Sequence, residues 1–159
     1  MEFGWISIFG AAIVVLIMIP NIIYAGKQNP PRTGKPVPKH WSVCEQLGRY
    51  GCIFLMWLPL FVWKFGFERA EAFPVYLIAN GVLLLSYYLF WAAYAKKKTL
   101  TRAMALASIP SVLFLLSGIL LRHWALAAFA VLFGISHCKI SLSKKSLMGF
   151  FDRFNRRAF

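Results

Sequence analysis

Positive charge in this chain falls in alternate gaps between its apolar stretches, and that alternation constrains the fold more than any local motif. The apolar stretches cover about residues 3–25, 50–67, 73–95, 103–121 and 124–140. Read as five helices, they put the intervening segments on alternate sides. One side then holds Lys27, Arg32, Lys35, Lys39, Arg49, Lys96, Lys97, Lys98, Arg102, Lys139, Lys144, Lys145, Arg153, Arg156 and Arg157 against Glu45 and Asp152. The other holds Lys64, Arg69 and Arg122 against Glu2, Glu68 and Glu71, so the whole formal charge of +13 lies on the first side. Short loops rich in Lys and Arg resist translocation across a bilayer. The expected architecture is an all-α polytopic transmembrane bundle of five helices, with the N-terminus outside and the C-terminus in the cytoplasm.

At 60% hydrophobic residues and a mean hydropathy of +0.64, the chain has too little polar surface to clothe a soluble globule of its size. Five spans of roughly 20 residues each occupy most of the 159 residues, which leaves one membrane domain, 1–141, and a basic amphipathic cytoplasmic tail, 142–159. A cleaved leader is not expected, because Glu2 precedes the first apolar stretch and Lys27 follows it, the reverse of a secretory signal. The pI near 10.1 does not point to nucleic acid, since the positive charge sits in loops beside apolar spans. The expected partners are membrane lipids with anionic headgroups, met by Lys96, Lys97, Lys98, Lys144, Lys145, Arg153, Arg156 and Arg157, with a second copy of the chain as a further candidate. Cys44, Cys52 and Cys138 fall near the basic ends of the spans and read as free thiols.

Local chemistry refines the helices. Pro20 should kink the first span, and Asn21 can then satisfy backbone groups freed by the proline. Pro30, Pro31, Pro36 and Pro38 make the following segment an extended connector. Ser42 and Glu45 have the spacing of a capping box, which starts the second helix before its apolar part, and Pro59 should bend an apolar run that continues to Trp63. Asn80, Ser86, Tyr87 and Tyr88 are expected to hydrogen-bond between helices in preference to lining a path. Ala130 and Gly134, four apart, allow close helix contact. Leu147, Phe150, Phe151 and Phe154 recur at helical spacing in the tail, as in a helix lying in the membrane interface.

Polar groups are expensive within a bilayer, so their placement is the best functional signal. Asn21, Glu45, Gln46, Arg49, Tyr94 and His137, with Lys139 beside them, all fall at the basic ends of the first, second, third and fifth spans. If those ends face one another, they surround a cytoplasm-facing vestibule. Arg49 suits an anion, Glu45 lies one turn before it, and Glu45 and His137 can carry protons. No metal is expected, because the adjacent His137 and Cys138 point to different helix faces and no pair with cysteine-x-x-cysteine spacing occurs, and no cofactor motif is present. Hydrolase elbows, phosphate loops and zincin helices are likewise missing. The leading expectation is a non-enzymatic protein that binds or translocates a small amphipathic or anionic ligand. The alternatives are a scaffold that recruits lipid or protein partners through its basic face, and a lipid-modifying enzyme with Glu45 and His137 as acid and base.

The segments Ile19-Pro20-Asn21-Ile22-Ile23-Tyr24, Glu45-Gln46-Leu47-Gly48-Arg49-Tyr50 and Phe133-Gly134-Ile135-Ser136-His137 resemble small multi-span membrane proteins of Gram-positive bacteria. That resemblance implies a bacterial plasma membrane and a span count, and no activity. Trp57-Leu58-Pro59 is similar to the Trp-x-Pro elements of the five-span, tryptophan-containing translocator family, whose longer proline- and tryptophan-rich motif after the first span is missing here. Five-span isoprenylcysteine methyltransferases are comparable in span number, but their carboxyl-terminal arginine-histidine-proline and paired glutamate elements are absent. No residues remain to hold a methyl donor.

Overall fold

The computed structural model describes residues 7–27, 38–58, 60, 71–97 and 99–155, with backbone alone at 25–27, 100 and 144–155. All regular structure among them is helical: α1 (Ile8–Lys27), α2 (Lys39–Trp57), α3 (Ala72–Lys96), α4 (Leu100–Leu120) and α5 (Trp124–Asn155).

The helix ends have identifiable causes. Ser7 caps α1, its Oγ accepting from the Gly10 N–H at 3.1 Å, which satisfies one of the donors a helix start leaves over. The Ser7 N–H also donates to the Trp57 carbonyl at 2.9 Å, so the start of α1 is tied to the end of α2. The second helix stops there because Leu58 precedes Pro59 and is extended, with φ −106° and ψ 110°, as the proline ring requires of its predecessor. Where the sequence predicts a bend, the helix ends, and Pro59 itself and residues 61–70 lie outside the described residues. At its other end α2 starts at Lys39 after Pro38, with no side-chain cap. The capping-box expectation therefore fails. Ser42 is already in the first turn, and Glu45 is used elsewhere. The proline-rich connector at 28–37 lies outside the described residues.

Thr99 caps α4 by accepting from the Arg102 N–H at 3.4 Å. The Arg102 guanidinium donates to the Ala93 and Lys97 carbonyls at 2.6 and 3.1 Å, closing the end of α3 with a cation where the helix dipole favours one. Between α4 and α5 the chain turns through Arg122 in the left-handed region, φ 55°, and the His123 N–H donates to the Gly118 carbonyl at 2.7 Å. The His123 imidazole then caps α5, Nδ1 accepting from the Leu126 N–H at 3.1 Å. Burial pushes this imidazole below its ordinary 6.5.

The helices pack in a closed ring in the order α1, α2, α5, α4, α3, back to α1, with α1 the most sparsely packed. Glycine sets the closest approach: a Cβ at Gly48 would stand 2.7 Å from the Phe133 backbone nitrogen of α5. Gly134 of the small pair faces Ser111 of α4, and Ala130 is buried. Pro20 supplies no N–H for the Leu16 carbonyl one turn back. Tyr88 of α3 replaces it, its hydroxyl donating to that carbonyl at 2.7 Å, whereas the Asn21 amide bonds Ile17. The ring is thereby held at a point where α1 has lost its own bond.

The third helix is inside out by the standard of a soluble protein. Its buried residues are Tyr76, Asn80 and Tyr87, while Val75, Ile78, Val82, Leu85 and Leu89 form an outward stripe, each at least 53% exposed. So large an apolar surface is of the kind that a membrane or a partner covers. Asn80 is satisfied within the ring, accepting from Ser117 Oγ of α4 at 3.0 Å and donating to the Tyr76 carbonyl at 2.9 Å. Ser86 instead bonds back to Val82 of its own helix. Three helices, Ala72–Lys96, Thr101–Leu120 and Trp124–Ser143, are long and apolar enough to cross a membrane, and Ile8–Tyr24 is a shorter apolar helix. The backbone of α5 continues without a break to Asn155. Its 32 residues are about 48 Å long, more than a hydrocarbon core of about 30 Å can contain.

Candidate functional site

Because the helices close a ring, they leave a space at its centre: a cavity of about 240 Å³ to which each helix contributes. α1 supplies Ile17, Met18 and Asn21, α2 supplies Arg49 and Ile53, and α3 supplies Tyr87. α4 adds Leu106, Pro110 and Phe114, and α5 adds Phe133 and His137. Most of the wall is apolar, with four polar side chains among these eleven residues. These four come from similar depths. Asn21 is fourteen residues beyond Ser7, and His137 is thirteen beyond Trp124, each about 20 Å along its helix from the neutral end. Arg49 is nearer that end by sequence, but helical side chains lean towards the N-terminus, which in α2 is the basic end.

The polar wall is organised by Glu45, which stands behind it. Its carboxylate accepts from the Arg49 guanidinium one turn along α2 and pairs across helices with His137 Nδ1 at 3.1 Å. Glu45 is buried, its side chain 9% exposed, against 42% for Arg49 and 27% for His137. A buried carboxylate held by two partners fixes both of them. His137 is further held by stacking on Phe133, with centroids 5.1 Å apart and planes at 28°. Phe133 in turn meets the Phe114 ring edge-on. The Tyr87 hydroxyl is flanked by the side chains of Trp91 and Asn21.

Three of the six residues expected to contact a ligand, Asn21, Arg49 and His137, line the cavity, and Glu45 orients two of them. Gln46 is exposed and absent from the lining. Tyr94 is half-buried in an aromatic group with Tyr24 and Trp91 and is absent from the lining. Lys139 sits over the Trp41 ring, 4.8 Å from its centroid, which pins the start of α2 to α5. Of the residues expected at lipid headgroups, Lys96 and Lys97 are exposed. Lys144, Lys145 and Arg153 are described by backbone alone, and Lys98, Arg156 and Arg157 lie outside the described residues. Among the described residues no three His, Cys, Asp or Glu side chains come together as a metal site would need.

The apolar wall carried no sequence signal, because one apolar residue in a span reads like the next until the ring order is known. Pro110 could have been singled out, since a proline inside a helix removes the donor for Leu106 one turn back, and both line the cavity. Set against protein families, curated proteins and solved structures, the chain matches none of them. What the site can do is therefore read from its own chemistry.

Proposed function

We propose that the chain is a five-span membrane protein that binds a small amphipathic anion in the central cavity. Its N-terminus is outside and its basic end is in the cytoplasm. The orientation is supported by the charge count, all +13 of it on one side. The exposed Lys96 and Lys97 at that end suit anionic headgroups, at about 1 kcal/mol for each cation near such a surface.

The observation that carries the binding reading is a guanidinium, Arg49, in the wall of a mostly apolar cavity walled by every helix. Convergent polar groups in an apolar concavity are the usual form of a small-molecule site. At 240 Å³ the space is smaller than typical drug-sized sites of about 300–1,000 Å³, so it favours a compact ligand such as an aryl or short-chain acid. Benzenesulfonate should raise the melting temperature of the purified protein, and the uncharged benzyl alcohol should do so much less. Alanine at Arg49 or His137 should remove the sulfonate effect while the bundle stays folded. Equal stabilisation of the Arg49→Ala protein, or none of the native one, would rule the reading out.

A further inference from the structure

The charges around the cavity do not suit an anion as they stand. Arg49 is the cation, but Glu45 already contacts it, and the same carboxylate oxygen lies 3.1 Å from His137 Nδ1. With a neutral imidazole the three side chains sum to zero. An anion entering a largely apolar cavity with a neutral wall gives up water without gaining a counter-charge, a costly state. Adding one proton to His137 brings the wall to +1, and the anion then restores zero. We infer that the site takes its anion together with one proton, which His137 holds. This rests on the anion-binding reading above.

The geometry assigns the atoms. A carboxylate only accepts, so Nδ1 is the nitrogen that donates to Glu45. Nε2 is left to bind the incoming proton from water, and as N–H it becomes a donor on a ring that lines the cavity. Phe133 stacked on the imidazole keeps the ring in that plane. Among the described side chains no other group facing the cavity suits the task. α2 offers Glu45 and Arg49, a matched pair, and α3 offers the Tyr87 phenol. α1 and α4 contribute no ionisable side chain to the lining. On α5 itself, Lys139 lies over Trp41, and Cys138 faces Ser108, Sγ to Oγ 3.7 Å. Linkage makes the effect reciprocal: each bound species raises affinity for the other.

The test is calorimetric titration of the full chain in phosphatidylcholine nanodiscs with benzenesulfonate, in buffers of differing ionisation heat, between about pH 6 and 9. Benzenesulfonate stays anionic throughout, so any proton taken up is on the protein. Net uptake approaching one proton is expected at the alkaline end, where affinity should fall by up to about tenfold per pH unit. His137→Gln should bind more weakly and take up no proton. Glu45→Gln, which leaves the Arg49 charge unmatched, should bind with no uptake and no pH dependence. Uptake that persists in His137→Gln would overturn the assignment, as would native binding without uptake. Absence of any binding heat would instead remove the anion-binding reading beneath it.

Discussion

Replacing Gly48 by alanine sets two known effects against each other at the α2–α5 contact. Alanine is the better helix former by about 1 kcal/mol. Its Cβ, however, would meet the Phe133 nitrogen, Cα and Cβ at 2.7, 2.8 and 2.9 Å. Two of these are backbone atoms and cannot rotate away. Ordinary contact begins at 3.4 Å, so α5 must recede by about 0.7 Å, the difference from 2.7 Å, and overpacking of this kind costs about 1–3 kcal/mol. Packing should win, leaving a net loss of about 0–2 kcal/mol, which at about 2–4 °C per kcal/mol lowers the melting temperature by several degrees. The same displacement reaches the site. Glu45 lies one turn before Gly48 and His137 one turn beyond Phe133, so their 3.1 Å contact would open to about 3.8 Å, no longer a hydrogen bond. Gly81 is the control, since nothing stands within 4 Å of a Cβ there and Gly81→Ala should gain about 1 kcal/mol from propensity alone. Thermal unfolding of both variants, with and without benzenesulfonate, checks the sign. If Gly48→Ala is stabilised as much as Gly81→Ala and its sulfonate response is intact, the close helix approach is refuted.

Other consequences are as direct. Tyr88→Phe removes the donor to the Leu16 carbonyl and should cost about 1 kcal/mol; in a Pro20→Ala background, where the helix supplies its own N–H, the cost should shrink, and equal costs in a double-mutant cycle would contradict the replacement. His123 is held neutral by burial, so the unfolded chain binds the proton first as pH falls. Stability should be full above 6.5 and decline as pH drops below it, while His123→Asn keeps a capping side chain and should flatten the melting temperature between about pH 7.5 and 5. In a Cys52→Ala, Cys138→Ala background, a membrane-impermeant maleimide should label the half-buried Cys44 in inside-out vesicles and spare it in right-side-out ones. The opposite pattern would reverse the orientation.

α3, α4 and α5 were legible in the sequence because they are long and their apolar character is continuous, whereas α2 overlaps the stretch expected at 50–67 only over 50–57. The helix ends were less so. Ser7 looked like any small residue in an apolar stretch, and its role depends on Trp57 ending α2 beside it. Ser42 and Glu45 had the spacing of a cap, yet Pro38 starts the helix earlier and hands Glu45 to Arg49 and His137. The polar part of the cavity lining could be read because a polar side chain within an apolar stretch needs a reason. Tyr94 and Gln46 satisfied the same rule and lie elsewhere, since the rule specifies depth and not direction around the helix. The apolar wall, and the pairing of Tyr88 with the carbonyl freed by Pro20, depend on which helices are neighbours. No local pattern encodes the order α1, α2, α5, α4, α3.

Crystals grown with 4-bromobenzenesulfonate test the central claim most directly, because bromine is located by its anomalous scattering independently of the density around it. The ring should lie between Met18, Pro110 and Phe114, with the sulfonate against Arg49 and His137, and the signal should vanish from the cavity of the Arg49→Ala protein. A cavity without bromine at saturating ligand, or bromine found only on the lipid-facing surface, would contradict the account.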